Sequence, residues 1–152
     1  MDKQGLSESD IYEVLKLVTN RIRDKRGIWR LEGSANLKVQ GVDVSVRDLD
    51  ITANSGIIPI FREALNEYLK KDFYNKKIRA NSLIFNINNS ELEVNNYDSE
   101  NLNFFDKIKL FHWKGLEIPI LPLKEAKQFY KIINKKEKVD LIESYLKTKK
   151  LS

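Results

Sequence analysis

The chain has 152 residues, of which 41% are hydrophobic and 32% are charged, and it contains no cysteine. This length predicts a single domain, residues 1–152, with a core large enough to need no covalent crosslinks. The lack of cysteine excludes disulfides and thiolate metal sites. Because the sequence shows neither an apolar leader nor an apolar run of bilayer length, we expect a cytoplasmic protein without a membrane partner.

The formal net charge of +5 is mild, and much of the excess lies from Lys124 onward, where nine lysines accompany four acids. These lysines could form a surface that attracts the phosphates of a nucleotide or an RNA. They could equally form an ordinary solvated helix face. The interspersed acids and the lack of an arginine cluster favour the solvated face.

The first half of the chain alternates between helix and strand patterns. Apolar residues at helical spacing from Ile11 to Ile22 predict a helix that is capped by Ser7 or Ser9 and ends near Gly27. A short strand in GIWRLEG, a short helix in SANLKVQ and a strand in the later part of VDVSVRDLDITA follow. The stretch SGIIPIFREALNEYLKKDF predicts one amphipathic helix.

The second half begins with two strand patterns, IRANSLIFNIN and ELEVNNY, joined by a hairpin at Asn88 and Asn89. A polar, Asn-rich loop separates them from one or two strands in KIKLFHWKGLEIPIL, and two helices follow Pro122. This order predicts an α/β (α+β) fold, in which a small mixed β-sheet is flanked by helices and a C-terminal helical pair closes the chain.

Two aspartates flank a leucine in the second predicted strand. Because successive strand side chains point to opposite faces, Asp48 and Asp50 should project from one face, about 6.6 Å apart along the strand. This spacing suits carboxylates that share Mg²⁺, which takes oxygen ligands and is usually bound together with substrate phosphates. A third carboxylate is expected on a neighbouring strand. The stretch SELEVN offers Glu91 or Glu93, and Glu93 lies deeper in its strand.

A Gly-Ser pair stands where the first predicted strand meets the short helix. Gly33 would let a phosphate approach the backbone, and the free N–H groups at the start of the helix would face that phosphate. The Ser34 hydroxyl could add a further hydrogen bond. Together with the two aspartates, this turn predicts a site for a phosphate and a metal ion.

These residues resemble a known family. The pattern W-x-L-x-G-S, a short helix, R-D-L-D-I and a later acid-bearing strand is similar to the nucleotidyltransferase superfamily, to which DNA polymerase β belongs. Within it, the likeness is to the small stand-alone proteins of the minimal, antibiotic-modifying kind. The resemblance covers most of the chain, and its specific parts are Gly33-Ser34 and Asp48-x-Asp50.

The resemblance implies transfer of an NMP from an NTP, with ATP as the expected donor, to the hydroxyl of an acceptor. It implies that the triphosphate lies at Gly33 and Ser34. It also implies that Asp48 and Asp50 bind Mg²⁺, or Mn²⁺ in its place. Glu93 would complete the metal site or act as the base that deprotonates the acceptor.

The closing helices are similar to those of the same proteins, and they supply Lys131 and Lys138 as candidates for phosphate contacts. The chain has Lys138-Val139 where many relatives carry Lys-Asp. The acceptor is left open between a small molecule such as an antibiotic, a protein hydroxyl and an RNA end. Since no separate acceptor-binding domain is predicted, a small acceptor, a partner protein or a homo-oligomer would each be consistent with the sequence.

Two other functions fit the same sequence. A catalytically inactive module of this fold could bind a nucleotide, an RNA or a protein partner without turnover. An RNA-binding protein could use the lysine-rich tail alone. In that case binding would fall steeply with salt and would not depend on Mg²⁺, whereas the enzyme requires the metal for nucleotide binding.

Overall fold

The computed structural model describes residues 5–22 and 27–151. Its helices are α1 (Glu8–Ile22), α2 (Gly33–Val39), α3 (Ile58–Ala64), α4 (Leu123–Ile132) and α5 (Lys136–Leu151). Its strands are β1 (Trp29–Glu32), β2 (Leu49–Ala53), β3 (Leu69–Asn75), β4 (Ala80–Ile87), β5 (Ser90–Tyr97), β6 (Lys109–Trp113) and β7 (Leu116–Ile120). Short 3-10 turns span Asn66–Tyr68, Glu100–Leu102 and Phe105–Lys107.

The seven strands of the described residues form one sheet in the order β3-β4-β5-β2-β1-β7-β6. At its centre, β2 pairs in parallel with β5 and antiparallel with β1, and β1 pairs in parallel with β7. The outer strands β3, β4 and β6 pair antiparallel with their neighbours. The predicted fold class, a mixed sheet flanked by helices with a C-terminal helical pair, is confirmed.

The two faces of the sheet differ in chemistry. Helices α1 and α3 cover an apolar face, where Leu15 and Phe61 belong to the same buried cluster as Leu31 and Ile51. A second buried cluster joins α2 to α4 and α5, with Phe129 among its members. The opposite face of the central strands carries polar side chains, and it is this face that holds the candidate site.

The helix predicted in SGIIPIFREALNEYLKKDF is wrong in its second half. Helix α3 ends at Ala64, and residues Leu69–Asn75 form the edge strand β3 instead. This strand pairs with β4 along its length, with one register shift between Leu69 and Lys71. Cross-strand hydrogen bonds therefore outweigh the helical spacing of the apolar residues, as tertiary context commonly does for short apolar patterns.

The β4–β5 and β6–β7 hairpins have the left-handed turn residues that their tight loops require. Asn88 and Asn89 have φ angles of 51° and 66°, and this confirms the predicted hairpin between β4 and β5. Lys114 and Gly115, with φ angles of 50° and 82°, connect β6 to β7. The stretch KIKLFHWKGLEIPIL therefore forms two strands.

Ser7 caps helix α1. Its Oγ accepts a hydrogen bond from the backbone N–H of Asp10 at 3.0 Å, and Asp10 Oδ2 accepts one from the backbone N–H of Ser7 at 3.0 Å. This reciprocal arrangement is a capping box. The predicted end of the helix near Gly27 falls on residues 23–26, which lie outside the described residues.

Over the ranges 5–22 and 27–151, none of the helices combines the length and the apolar character that crossing a membrane would need.

Replacing Ser7 by Ala should lower the free energy of unfolding by about 1 kcal/mol, because the N–H of Asp10 loses its capping oxygen. Ser9→Ala is the matched control within the first turn, and it should change the free energy by less than about 0.5 kcal/mol. Urea unfolding followed by circular dichroism measures both values. Equal losses in the two variants would contradict the capping role of Ser7.

Candidate active site

Three carboxylates form a row across the central strands. Glu32 of β1 lies opposite Asp50 of β2, and Asp50 lies beside Glu93 of β5. Because neighbouring strands are about 4.8 Å apart, the row brings its members within one strand spacing of each other. Asp48 comes immediately before β2. The parallel register also places Glu93, rather than Glu91, beside Asp50.

The row concentrates negative charge. Burial, followed by the charges of Glu32, Glu93 and Asp48, raises the pKa of Asp50 well above its ordinary value. Burial also raises the pKa of Glu93, and the charge of Glu91 adds to that effect. Carboxylates that repel one another in a partly buried position favour a cation, which would relieve the repulsion.

Gly33 lies directly against Asp50. Its φ angle is +72°, and a Cβ atom on this residue would lie 2.8 Å from Asp50 Oδ2. Any other residue would strain the backbone and displace the carboxylate. The glycine that the sequence predicts beside a phosphate therefore also makes room for Asp50.

Lys138 of α5 reaches the Gly-Ser turn. Its Nζ donates a hydrogen bond to the Oγ of Ser34, which lies 104 residues earlier in the chain. Burial lowers the pKa of Lys138, while the charge of Asp50 acts in the opposite direction. The structure therefore brings together Ser34, Lys138 and Asp50, three of the residues that the sequence singled out.

Lys131 lies at the border of the site. It is exposed and lines a cavity of about 300 Å³ at the turn between α4 and α5, together with Tyr130 and Asn134. Tyr130 is buried, and burial, followed by the charges of Glu32 and Asp50, raises the pKa of its hydroxyl. The cavity therefore adjoins the carboxylate row through Tyr130.

Sequence reasoning missed Glu32 and the side chains that hold it. One Glu32 oxygen, Oε1, accepts a hydrogen bond from the Thr52 hydroxyl and lies 3.4 Å from Nη2 of Arg30. The other, Oε2, accepts a hydrogen bond from the Tyr97 hydroxyl at 3.2 Å. The alternation in WRLE could have indicated Glu32, because it puts two charged residues on one face of a strand.

The donor set suits a hard divalent cation, because it offers only carboxylate oxygens. Across residues 5–22 and 27–151, no three His, Cys, Asp or Glu side chains are grouped so that they could hold a metal ion by themselves. Mg²⁺ is usually held by one or two carboxylates together with substrate phosphates and water. Asp50 with Asp48 or Glu93 fits that mode of binding.

No family model matches the chain, and no curated protein matches its sequence. Its structure is similar to that of TM1012 from Thermotoga maritima, a candidate nucleotidyltransferase, with 21% identity, a TM-score of 0.74 and coverage of 95% of this chain and 97% of the other. The lincosamide antibiotic adenylyltransferase LnuA gives 12% identity and a TM-score of 0.62 over 92% of this chain and 98% of its own. The antibiotic-resistance factor ANT(2'')-Ia gives 8% identity and a TM-score of 0.65 over 92% and 86%.

The fold is therefore that of the nucleotidyltransferases, as the sequence resemblance predicted. It is the small form of that fold, since the similarity to TM1012 and to LnuA extends over more than nine tenths of each chain.

Asp50 should make the cation-free protein less stable as the pH rises. Its folded pKa is raised above the ordinary value of 3.8, so the stability that it contributes is complete below about pH 3.8 and is lost as the pH rises through the folded pKa. Asp50→Asn removes this loss, so the stability of the variant relative to the native protein should increase with pH. Urea unfolding in EDTA between about pH 4 and pH 8 measures the difference. A difference that does not change with pH would contradict the raised pKa.

Gly33→Ala should destabilise the fold more than Gly115→Ala. Both glycines have positive φ angles, so both variants bear the left-handed backbone cost of about 1–2 kcal/mol. Only at Gly33 does the added Cβ meet Asp50, whereas a Cβ at Gly115 has no atom within 4 Å. Urea unfolding of the two variants compares the costs, and equal values would contradict the close approach of Asp50 to Gly33.

Proposed function

We propose that the protein is a metal-dependent nucleotidyltransferase, a single domain over residues 1–152, which transfers an NMP from an NTP to an acceptor hydroxyl. The observation that carries this proposal is that the carboxylates lie next to the Gly-Ser turn and its lysine. Asp50, the centre of the carboxylate row, lies against Gly33. Ser34, which follows Gly33, accepts a hydrogen bond from the cationic Lys138. A nucleoside triphosphate with its cation requires both kinds of group.

The phosphate half of the site would consist of the Gly-Ser turn and the lysines of the last two helices. An ammonium group has three N–H donors, so Lys138 can keep its hydrogen bond to Ser34 and still donate to phosphate oxygens. Gly33 has no side chain to obstruct the approach of the phosphates. Lys131, on the adjoining cavity, would contact the outer end of the triphosphate.

The carboxylate half would hold the cation, Mg²⁺ or Mn²⁺, at Asp48 and Asp50. When bound, such a cation neutralises the negative charge that develops on the attacking and leaving oxygens. Glu93 would complete this site or accept the proton of the acceptor hydroxyl. The pKa of Glu93 is raised by burial and by neighbouring charge, and this makes its carboxylate a stronger proton acceptor.

In the proposed reaction, the acceptor oxygen forms a bond to the α-phosphorus as the bond from that phosphorus to the bridging oxygen breaks. Pyrophosphate leaves, and the proton of the acceptor hydroxyl passes to a carboxylate such as Glu93. The protein contributes by holding the reacting groups in line and by placing fixed charges around them.

A small-molecule acceptor with ATP as the donor is the best-supported version of this proposal. LnuA is an adenylyltransferase that was solved with lincomycin bound, and ANT(2'')-Ia was solved with adenylyl-2''-tobramycin. Both proteins share the fold of this chain and act on, or hold, small antibiotic molecules. These similarities favour a small hydroxylated acceptor over a protein or an RNA end.

Calorimetric titration of the four NTPs, with Mg²⁺ and with EDTA, tests the proposal. We expect at least one NTP to bind only in the presence of Mg²⁺, and Asp50→Asn to weaken that binding at least tenfold, since it removes the charge nearest the cation. Asp43→Asn, at an exposed position before β2, is the matched control and should bind like the native protein. Equal binding in EDTA, or undiminished binding by Asp50→Asn, would contradict the metal site.

A turnover assay distinguishes the proposed enzyme from a catalytically inactive module of the same fold. Pyrophosphate release from the bound NTP in the presence of a panel of hydroxylated antibiotics would support transfer to a small acceptor. Metal-dependent binding without any release would favour the inactive nucleotide-binding module. RNA binding that falls steeply with salt and does not depend on Mg²⁺ would favour the function based on the lysine tail.

A further inference from the structure

A buried arginine lies next to the carboxylate row. Arg30 is only 1% exposed, and its Nε and Nη2 donate hydrogen bonds to the carbonyl oxygens of Asn103 and Leu102, each at 3.1 Å. Its guanidinium carbon lies 4.9 Å from the centre of the Phe129 ring. Arg30 thereby connects β1 to α4 and to the segment after β5, so its position is fixed by the fold.

This arginine places a positive charge close to the proposed cation site. In the pairing of β1 with β2, Arg30 lies opposite Thr52, and the next residue on the same face of β2 is Asp50. An arginine side chain keeps its proton in proteins, so its charge is permanent. Alone, it would repel a divalent cation at Asp50, and the repulsion would be strong because water is largely excluded from the region.

Glu32 is the carboxylate that contacts Arg30. It is opposite Asp50 in the register, and its Oε1 lies 3.4 Å from Nη2 of Arg30. Its two oxygens also accept hydrogen bonds from the hydroxyls of Thr52 and Tyr97. These contacts direct the carboxylate toward its protein partners rather than toward a metal ion.

We propose that Glu32 is a positioning residue that offsets the charge of Arg30 and thereby sets the affinity of the Asp50 site for its divalent cation. This inference rests on the proposed function, because it assumes a cation at Asp50. The pair of Arg30 and Glu32 is neutral, and its carboxylate member lies opposite Asp50 in the strand register. If Glu32 loses its charge, the uncompensated arginine faces the cation.

The test is the binding of Mn²⁺ in the presence of the NTP that the protein binds, followed at one fixed pH by the relaxation rate of the water protons, which rises when Mn²⁺ is held on the protein. We expect Glu32→Gln to weaken Mn²⁺ binding at least tenfold. The amide keeps the shape of the side chain and an oxygen that accepts from Thr52 or Tyr97. The urea midpoint of the cation-free variant, measured alongside, shows whether the fold is intact.

Two further variants separate charge from structure. Glu91→Gln removes a carboxylate on the same face that does not contact Arg30, so it should weaken Mn²⁺ binding by less than Glu32→Gln. The double variant Arg30→Met with Glu32→Gln removes both charges, and it should recover the affinity to within about threefold of the native protein. If the double variant does not fold, the comparison of Glu32→Gln with Glu91→Gln still tests the role of Glu32.

The outcomes distinguish this inference from the proposed function. If the native protein binds neither Mn²⁺ nor Mg²⁺, with or without nucleotide, the proposed function fails. If the native protein binds Mn²⁺ and Glu32→Gln binds it equally well, only the role of Glu32 is overturned. A loss in Glu91→Gln as large as that in Glu32→Gln would also overturn it, because the effect would then be one of general negative charge.

Discussion

The repulsion between neighbouring carboxylates on the central strands is the constraint on which the site depends. Asp50 has Glu32 on one side and Glu93 on the other, and strand pairing fixes both neighbours. A shift of the register by one residue would turn Asp50 into the apolar core, where Leu49 and Ile51 are fully buried, so such a shift cannot relieve the repulsion. The fold therefore maintains a charge cluster that a cation would stabilise, and this supports the proposed metal site.

The rest of the structure supports this cluster from two sides. Helices α1 and α3 pack against the apolar face of the sheet and hold the central strands in register. On the polar face, α4 and α5 supply Phe129 against Arg30 and Lys138 against Ser34. Positive charge thus reaches the carboxylates in two forms, as a buried arginine held by backbone carbonyls and as a lysine beside the Gly-Ser turn.

Local sequence patterns were sufficient to predict an element when the interactions that form it are also local. The start of α1, with Ser7 or Ser9 as its cap, the Asn-Asn turn and the two helices after Pro122 depend on residues a few positions apart, and the sequence predicted them. The stretch Leu69–Asn75 shows the opposite case. Its apolar spacing continues that of α3, but its hydrogen bonds are made with β4, so its conformation depends on a partner that the pattern cannot show.

The same division between local and long-range causes applies to the candidate site. The sequence by itself determined the Gly33-Ser34 turn and the two aspartates from short-range spacing, and the class of fold from the order of the predicted elements. Only the tertiary structure decided that Glu93 lies beside Asp50, that Lys138 meets Ser34, and that Glu32 lies opposite Asp50 while contacting Arg30. The physical reason is that strand pairing and helix packing join residues far apart in the chain, and no property of a single segment records which segment it will meet.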